Sequence, residues 1–485
     1  MYSDIVLFPV MRNEDWMNDA WDPLSYGQDY ESAASFYKQF SDLSKKVPQP
    51  ALAAVQNENC EYCNNLSGNK NCYLVFNTSG AEDCMYCENA WDSKDCIECS
   101  MVLQSELCHA CTYCVRCYNL RSSEYSEDCS DSHFLAFCRS CRHCFGCVNL
   151  RHKEYCIWNE QKTKEEYEQW MEKFSTSSWT ECSRYAKQLE EFSLRFPRPH
   201  AIILQSEQVS GNFIEHSKNV HDSHFVQHGE DLVRCFNVHE GVKDCADFTF
   251  FGRHAELIYE CAACGINIRQ LGFCFECREG SNALYYCWFC DGCEDCFGCI
   301  SLRKKRYCIF NKQYTKEEYE QLVPQIIGRM RADGTWGEFF PMTLSPYAYN
   351  HTSAQRYFPL TRERTATLGL QWHEKDTEQA AAAVDASELP DGLPAEDRPF
   401  IVRSELSGRP FRITAKEIER YRAFGVPLPR LAYDERMEER AAKWGGIRLH
   451  EATCAKSGMP IRTTYPPDSP YIIWDREVWE REFGS

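Results

Sequence analysis

The sequence predicts a mainly β fold, in which two cysteine-lined β-solenoid arrays of about 12–13 residues per coil carry helical caps and a small α+β C-terminal domain. Three observations support this prediction. All seventeen cysteines between Cys60 and Cys156 lie at residue numbers divisible by three. Pairs of the form CxxC recur there at steps of twelve residues. The segments 144–169 and 296–321 match at a constant offset of 152, which indicates an internal duplication.

A period of three separates the inside of the first array from its outside. Nearly every third residue from Cys60 to Leu150 is small or apolar, and the charged residues fall between these positions. A strand has a period of two and an α-helix one of 3.6, so neither keeps such residues on one side. A 3₁₀-helix or polyproline II segment has three residues per turn, but 3₁₀ runs are short and polyproline II buries no core. A coil that bends at every third residue and stacks at about 4.8 Å fits the pattern.

The second array begins near Gly211, from which every third residue to Gly241 is again small or apolar. Its later CxxC pairs, which start at Cys261, Cys274 and Cys287, step by thirteen residues instead of twelve. One bulged residue in each coil explains the longer step.

Seven segments are expected in chain order. They are an N-terminal cap with a helix (1–50), the first Cys-rich β-solenoid (51–160), a helical cap and connector (161–205), the second Cys-rich β-solenoid (206–312), a helix with an aromatic irregular segment (313–373), a flexible acidic linker (374–399) and an α+β domain (400–485).

Several helix ends are readable from local chemistry. Thr163 and Thr315 are predicted N-caps, because each has a Glu three residues later. Thr414 and Gly425 are expected to begin and end a helix in the C-terminal domain. A helix at 32–43 is expected to cover the start of the first array, since a bare terminal coil invites edge association.

Composition limits the function classes. The net charge of -19 argues against general nucleic-acid binding and against binding to anionic membranes, which both need a basic surface. No stretch resembles a signal peptide or a membrane span, so we expect a cytoplasmic protein whose 31 cysteines are kept reduced. No GxSxG, HExxH, P-loop or GxGxxG motif supports an enzymatic activity, so a non-enzymatic protein is favoured.

The inward cysteines have three interpretations. Cys behaves as a small hydrophobe, and a twelve-residue coil cannot admit a Leu at every corner, so the thiols can act as packing. Disulfides between coils need a Cβ–Cβ distance of about 3.5 to 4.5 Å and an oxidising compartment. Paired CxxC can instead bind a metal, for which zinc is the first choice and an iron–sulfur cluster or Cu(I) is less favoured.

The candidate metal ligands fall into sets of four thiols, supplied by two stacked CxxC pairs or by one whole coil. Stacked pairs are Cys84, Cys87, Cys96 and Cys99, and Cys261, Cys264, Cys274 and Cys277. Single coils are Cys108, Cys111, Cys114 and Cys117; Cys138, Cys141, Cys144 and Cys147; and Cys290, Cys293, Cys296 and Cys299. The outward histidines His216, His221, His224 and His228 are a weaker metal candidate than a solvated polar face.

Segments spread over most of the chain carry a family resemblance. They are WDPLSYG (21–27), NKNCYLVF (69–76), CFGCVNLRHKEYCIWN (144–159), LSPYAYNHTSAQRYFPLTRE (344–363), and SGRPFRI (407–413) with its following helix and GVPLP. With these the chain resembles an uncharacterised Cys-rich family of small uncultivated, candidate-phyla bacteria. Some chains of this kind carry a CoA-transferase label, for which this sequence shows no supporting residues.

The resemblance implies zinc-ribbon-like segments with paired CxxC on both sides of the Cys-rich centre. In their place this chain has MRNEDW (11–16), SELSGRPF (404–411) and CAKSG (454–458), with Ser457 where a second Cys is expected. The ribbons are therefore expected to be degenerate. The coil is also similar to that of insect antifreeze solenoids, but their outward Thr-x-Thr rows are missing, so ice binding is disfavoured.

The sequence therefore favours a non-enzymatic Cys-rich repeat scaffold or interaction protein that binds a metal, with zinc expected. Protein partners or self-association would use the outer solenoid face, where Tyr62, Tyr73, Tyr86 and Tyr113 point outward. Alternatives are a redox-active or metal-handling thiol protein, a purely thiol-packed solenoid, and an enzyme with a site between the arrays.

Overall fold

The computed structural model describes residues 2, 6–239, 241–374, 383–443 and 445–484. It is mainly β, with two arrays of stacked parallel coils, which confirms the predicted fold class. The N-terminal segment contains β1 (Val10–Met11), α1 (Asn13–Trp16), a 3₁₀ turn (Pro23–Tyr26), α2 (Phe36–Ser44) and β2 (Gln49–Pro50).

The first array contains twelve short strands. They are β3 (Ala54–Val55), β4 (Asn64–Ser67), β5 (Phe76–Ser79), β6 (Glu88–Trp91), β7 (Ser100–Leu103), β8 (Thr112–Val115), β9 (Tyr118–Arg121), β10 (Glu124–Glu127), β11 (Ser130–His133), β12 (Arg142–Phe145), β13 (Glu154–Ile157) and β14 (Glu160–Gln161). The connector then forms α3 (Lys164–Met171), α4 (Trp179–Ser193) and β15 (Pro197–Pro199).

The second array forms one sheet of twelve strands. They are β16 (Ile203–Leu204), β17 (Glu207–Glu215), β18 (Lys218–Gln227), β19 (Glu230–Val233), β20 (Phe236–Val238), β21 (Lys243–Phe251), β22 (Glu256–Ala262), β23 (Arg269–Gly272), β24 (Asn282–Tyr285), β25 (Glu294–Phe297), β26 (Arg306–Ile309) and β27 (Lys312–Gln313). After it come α5 (Lys316–Ala332), 3₁₀ turns (Met342–Leu344 and Tyr349–His351), α6 (Ser353–Tyr357) and α7 (Arg362–Thr367).

The C-terminal part contains β28 (Val384–Asp385), a 3₁₀ turn (Ala386–Glu388), β29 (Phe400–Arg403), β30 (Pro410–Ile413), α8 (Ala415–Phe424), α9 (Tyr433–Ala442), β31 (His450–Thr453), β32 (Pro460–Thr463), β33 (Ile472–Trp474) and α10 (Arg476–Phe483). The predicted helix ends at Thr163, Thr315, Thr414 and Gly425 are confirmed, and all three threonines form capping boxes. Residues 375–382 of the predicted linker lie outside the described residues. The later part of that segment is folded, because β28 pairs with β29 and Ala386 is buried.

Each coil turns at corners where the backbone is left-handed. The corner residue directly precedes an inward-facing residue, as at Asn59, Asn71 and Asp83, whose φ angles are 50°, 53° and 55°. Asn and Asp tolerate this conformation better than other residues with a side chain. Their side chains also form a ladder, in which Asn59 donates to Asn71 at 2.9 Å and Asn71 donates to Asp83 at 3.2 Å. The bend therefore has a local cause at these corners, whereas Tyr62 and Leu74 adopt the same backbone without that preference.

The duplication extends over the whole of both arrays. At the first coils, Oδ1 of Asn64 accepts from the Ala53 amide at 2.8 Å, and Oδ1 of Asn212 accepts from the Ile202 amide at 2.8 Å. At the last coils, Asn159 and Asn311 make the same paired bonds to backbone atoms one coil earlier. The internal repeat therefore reaches well beyond the matching tails at 144–169 and 296–321.

Each array is covered at its end by the helix that leads into the other array. Phe36 of α2, which precedes the first array, contacts Phe297 of the second at 5.5 Å between ring centroids. Tyr185 of α4, which precedes the second array, contacts Phe145 of the first at 4.9 Å. Phe145 and Phe297 are duplicates at the offset of 152. The prediction that this helix covers the start of the first array is therefore wrong, since α2 buries its apolar face among aromatic rings of the second array.

Candidate functional site

The inward cysteines form the cores of both arrays. Cys96 illustrates their environment, because its Sγ donates to the carbonyl oxygens of Lys94 at 3.3 Å and Ser105 at 3.6 Å. The Oγ of Ser105, an inward residue nine positions further along, donates in the same pattern, to the carbonyl oxygens of Leu103 at 2.8 Å and Cys114 at 3.4 Å. Cysteine and serine therefore fill the same type of position with the same hydrogen bonds, and the thiol acts as a small group that also satisfies carbonyl oxygens.

Burial keeps many of these thiols protonated. It raises the pKa of Cys235 to about 11 and that of Cys245 to about 12, because the thiolate would lose its hydration. Burial likewise raises the pKa values of Cys261 and Cys264 well above the ordinary range. Because zinc binds the thiolate form, a buried neutral thiol must lose a proton before it can become a ligand.

The predicted zinc ligands are all buried within the two cores. Cys84 interacts directly with Cys87 and with Cys96 one coil later, so members of that predicted set are neighbours. However, in the described part of the chain no group of three or more His, Cys, Asp or Glu side chains is arranged to hold a metal ion. All 31 cysteines are present as free thiols. Zinc binding therefore stays a prediction.

The histidines predicted to face outward occupy different environments. The rings of His216 and His228 stack at 5.0 Å, one coil apart. His221 hydrogen-bonds to Asn219 at 2.9 Å. His224 is buried, and burial lowers its pKa to about 4. The four imidazoles therefore do not converge.

The ribbon-like segment at 404–411 has a carboxylate close to its two serines. Oε2 of Glu435 accepts from the hydroxyl of Ser404 and from the Ala432 amide, the latter at 3.0 Å. Burial alone would raise the pKa of Glu435, but hydrogen bonds from the Ser404 and Ser407 hydroxyls hold it below its ordinary value. Hydroxyls and one carboxylate thus fill a position where the resemblance implies thiols.

The second ribbon-like segment retains one sulfur. Sγ of Cys454 accepts from the amides of Ser457 at 3.3 Å and Asp475 at 3.1 Å. Burial opposes ionisation of this thiol, but the two backbone donors outweigh it and lower its pKa. The sulfur therefore links the β31–β32 hairpin to the start of α10 without a second cysteine.

A buried carboxylate on the outer face of the first array holds the C-terminal domain. Glu98 is 4% exposed, and its two oxygens lie 2.9 Å from Arg436 and 2.6 Å from Arg440, both on α9. The hydroxyl of Tyr421 donates to the same carboxylate at 2.7 Å. Burial alone would raise the pKa of Glu98, but the two guanidinium groups and the tyrosine hold it below its ordinary value.

Neighbouring coils extend this interface. The hydroxyl of Tyr86 hydrogen-bonds to Glu417 of α8, and Arg420 reaches the backbone of Asp83 and the carboxylate of Asp95. Ile97 is fully buried beneath the domain. The outer face of the first array therefore binds a folded module through the buried Glu98 cluster, a second ion pair between Arg420 and Asp95, and surrounding apolar contacts.

Sequence reasoning missed this interface. Outward glutamates are common in both arrays, so nothing marks Glu98 in its own segment. The sequence feature that could have indicated it is the pair Arg436 and Arg440, which are four residues apart and therefore lie on one face of α9.

The tyrosines predicted to face outward differ in exposure. Tyr62 is 61% exposed, whereas Tyr113 packs against Phe213 of the second array at 4.3 Å between ring centroids.

A cleft of about 560 Å³ lies between the two arrays and α10. Several of its polar groups are already paired, because Tyr113 donates to Glu215 at 2.8 Å and Arg116 pairs with Glu127 and Asp128. The cleft therefore offers room for a small molecule, and it lies where a site between the arrays was an alternative.

These features define a cysteine-rich β-solenoid repeat protein with a docked α+β module. No known family model matches the chain, and no curated protein matches it. Among solved structures it is similar to one described as a "putative acetyltransferase" from Desulfovibrio desulfuricans G20, at 10% identity, over 53% of this chain and 68% of that one. The TM-score of 0.11 is too low to support an argument about fold or function. Among the described residues, no helix has the length and apolar character to cross a bilayer.

Proposed function

We propose that the protein is a non-enzymatic cytoplasmic scaffold, in which thiol-packed solenoids present their outer faces to protein modules. The main observation in support of this proposal is the Glu98 interface, where the outer face of the first array binds a folded domain through a buried carboxylate. Further support comes from the cores, where thiols and hydroxyls occupy the same positions and make the same hydrogen bonds. Docking of a domain needs a rigid, regular outer face, and a core packed by thiols and hydroxyls provides one.

Metal binding by the thiol cores is the second candidate. The contiguity of Cys84, Cys87, Cys96 and Cys99 favours it, because four neighbouring thiols supply the soft donor set that zinc or Cu(I) prefers. In this case each set must release protons and draw its sulfurs together around the ion. A bound metal would then be the main source of stability for its coils.

One preparation distinguishes the two candidates. The chain is purified anaerobically without added metal, and metal content, free thiols after denaturation and the effect of a chelator on thermal unfolding are measured. The scaffold proposal expects no stoichiometric metal, about 31 reactive thiols and an unchanged melting temperature. Several equivalents of zinc or iron per chain, with unfolding by the chelator, would instead establish the thiols as ligands.

A further inference from the structure

The first array has a covered outer face, and the duplication identifies its counterpart on the second array. Counting inward residues back from the matching tails aligns Ala90 with Val238 and Cys99 with Phe248. The corner residue before each inward residue then aligns as well, so Glu98 corresponds to Asp247. The two faces can therefore be compared position by position.

The counterpart on the second array is open in the described part of the chain. We call it the open face and define it by four coils, each with one central and two flanking positions. The central residues are His221, Val233, Ala246 and Tyr259, and the flanking residues are Asp222, Arg234, Asp247 and Glu260 on one side and Asn219, Asp231, Asp244 and Leu257 on the other. Ala246 and Asp247 are partly exposed, whereas their equivalents on the covered face, Ile97 and Glu98, are 0% and 4% exposed. One coil further along the open face, Leu257 and Tyr259 are 42% and 41% exposed.

The open face is acidic with an apolar centre. It has five carboxylates, which are Asp222, Asp231, Asp244, Asp247 and Glu260, against the single guanidinium group of Arg234. Arg234 pairs with Asp247 at 2.6 Å, and Asp222 pairs at one end with Arg462 of the β31–β32 hairpin at 2.9 Å. At the other end the Glu260 carboxylate accepts from the backbone of Phe339, and its Oε2 is buried with no hydrogen-bond partner among the residues described. Lys243, at the rim, pairs with Glu230 at 3.0 Å and also interacts with Asp231 and Asp244. Even with Lys243 counted, the carboxylates of the face exceed its cations.

We propose that the open face docks an arginine-bearing helix of a partner protein, with the arginines four residues apart. The covered face supplies the chemistry, because there α9 places Arg436 and Arg440 on a carboxylate at the equivalent corner. The occupant is a separate protein, since the α9 of this chain is already engaged on its own first array. This inference rests on the proposed scaffold function and names the face and the partner chemistry that serve it.

The test uses the full-length chain and a defined probe. The probe is a fluorescent, lactam-stapled helical peptide with the sequence of residues 430–443. The control peptide is identical except that Gln replaces the arginines equivalent to Arg436 and Arg440. Binding is followed by fluorescence anisotropy at two salt concentrations. We expect saturable binding that weakens with salt, and at least about tenfold weaker binding of the Gln peptide.

Variants of the chain locate the binding. Asp247→Asn combined with Glu260→Gln should weaken binding about tenfold or more, whereas Asp92→Asn, at an exposed corner of the first array, should leave it unchanged. Equal binding by the double variant overturns the proposal, as does equal binding of the two peptides. Sedimentation equilibrium showing a dimer that Asp247→Asn dissociates would also overturn it, by assigning the face to a second copy. Each of these failures leaves the metal and thiol measurements of the proposed function unaffected.

Discussion

Asn237 donates from Nδ2 to Oδ1 of Asn89 at 3.1 Å across the boundary between the two arrays, and both side chains are 3% exposed. The two residues occupy equivalent positions in the duplicated arrays. Two residues further on, the rings of Trp91 and His239, also equivalent, lie 3.8 Å apart. Tyr113, later in the first array than Asn89, donates to Glu215, earlier in the second array than Asn237. The arrays therefore run side by side in opposite directions about a pseudo-twofold axis that passes between the equivalent pairs.

The buried amide pair predicts a coupled cost of mutation. Asn89→Gly or Asn237→Gly keeps the left-handed backbone that both positions adopt, and leaves one buried amide without its partner. Each single variant should lower the free energy of unfolding by about 1–3 kcal/mol, and the double variant by less than their sum. Urea unfolding of the four proteins gives the coupling. Asn59→Gly, at an exposed corner, is the control; additive effects would show that the pair does not act as one unit.

The Glu98 interface predicts a large effect from a neutral substitution. Glu98→Gln leaves Arg436 and Arg440 buried beside an uncharged amide, so the variant should lose about 3–5 kcal/mol of stability. Glu82→Gln is the matched control, because the Glu82–Lys94 pair is exposed and should contribute less than about 1 kcal/mol. Chemical unfolding measures both, and limited proteolysis tests whether the C-terminal domain is released. Similar losses in the two variants would contradict the assigned role of Glu98.

The shared geometry of Cys96 and Ser105 predicts that a thiol can be replaced by a hydroxyl. Cys96→Ser should cost no more than about 1.5 kcal/mol, because the hydroxyl can donate to the same two carbonyl oxygens and so is not left unpaired. Cys96→Leu should cost more, by about 1–3 kcal/mol, because the coil interior has no room for it. Thermal unfolding ranks the variants. Complete loss of folding in Cys96→Ser would favour a metal ligand over a packed thiol.

Two duplicated glycines provide a test of the corner geometry. Gly146 and Gly298 have φ angles of 66° and 64°, and a Cβ at Gly298 would lie 2.9 Å from the ring of Phe310. Gly298→Ala should therefore destabilise the chain by about 1–3 kcal/mol, from backbone strain and overpacking. Gly328→Ala, in the middle of α5 with open space around it, should be neutral or stabilising by up to about 1 kcal/mol. Equal stability of the two variants would refute this account.

The thiol pKa values predict loss of stability in alkali. In the folded chain burial raises the pKa of Cys63 and of Cys235 to about 11 and that of Cys245 to about 12, above the ordinary value of 9.0. Their contribution is complete below pH 9 and is lost as the pH rises towards 11–12, by about 1.4 kcal/mol per pH unit for each thiol. Anaerobic urea unfolding at pH 7.5, 9.0 and 10.5 measures this loss. The Cys235→Ser variant should lose less stability between pH 9.0 and pH 10.5 than the unmodified chain does. An identical pH profile for the two proteins would count against ionisation of Cys235.

The period of three in the cysteines was sufficient to predict the arrays, because it depends only on which side of the coil each residue faces. The bend at every third residue was predicted too, but its left-handed backbone was not, because Tyr62 and Leu74 stand at corners as well as Asn59, Asn71 and Asp83. The docking of α9 on Glu98 was not readable, because it joins residues more than 300 positions apart. The same limit hid the exchange of covering helices, for which the local pattern of α2 specifies an apolar face but no partner.

The exchange of covering helices has a consequence for how the chain is made. Phe36 leaves the ribosome 261 residues before its ring partner Phe297. Until Phe297 has been synthesised, the apolar face of α2 has no surface to pack against. The first half of the chain therefore leaves apolar surface exposed even when all of its coils are present. Such long separations slow folding and expose sticky intermediates. The smallest unit that can bury all of its apolar faces is therefore the double array. A single array with its preceding helix would be an aggregation-prone fragment rather than a domain.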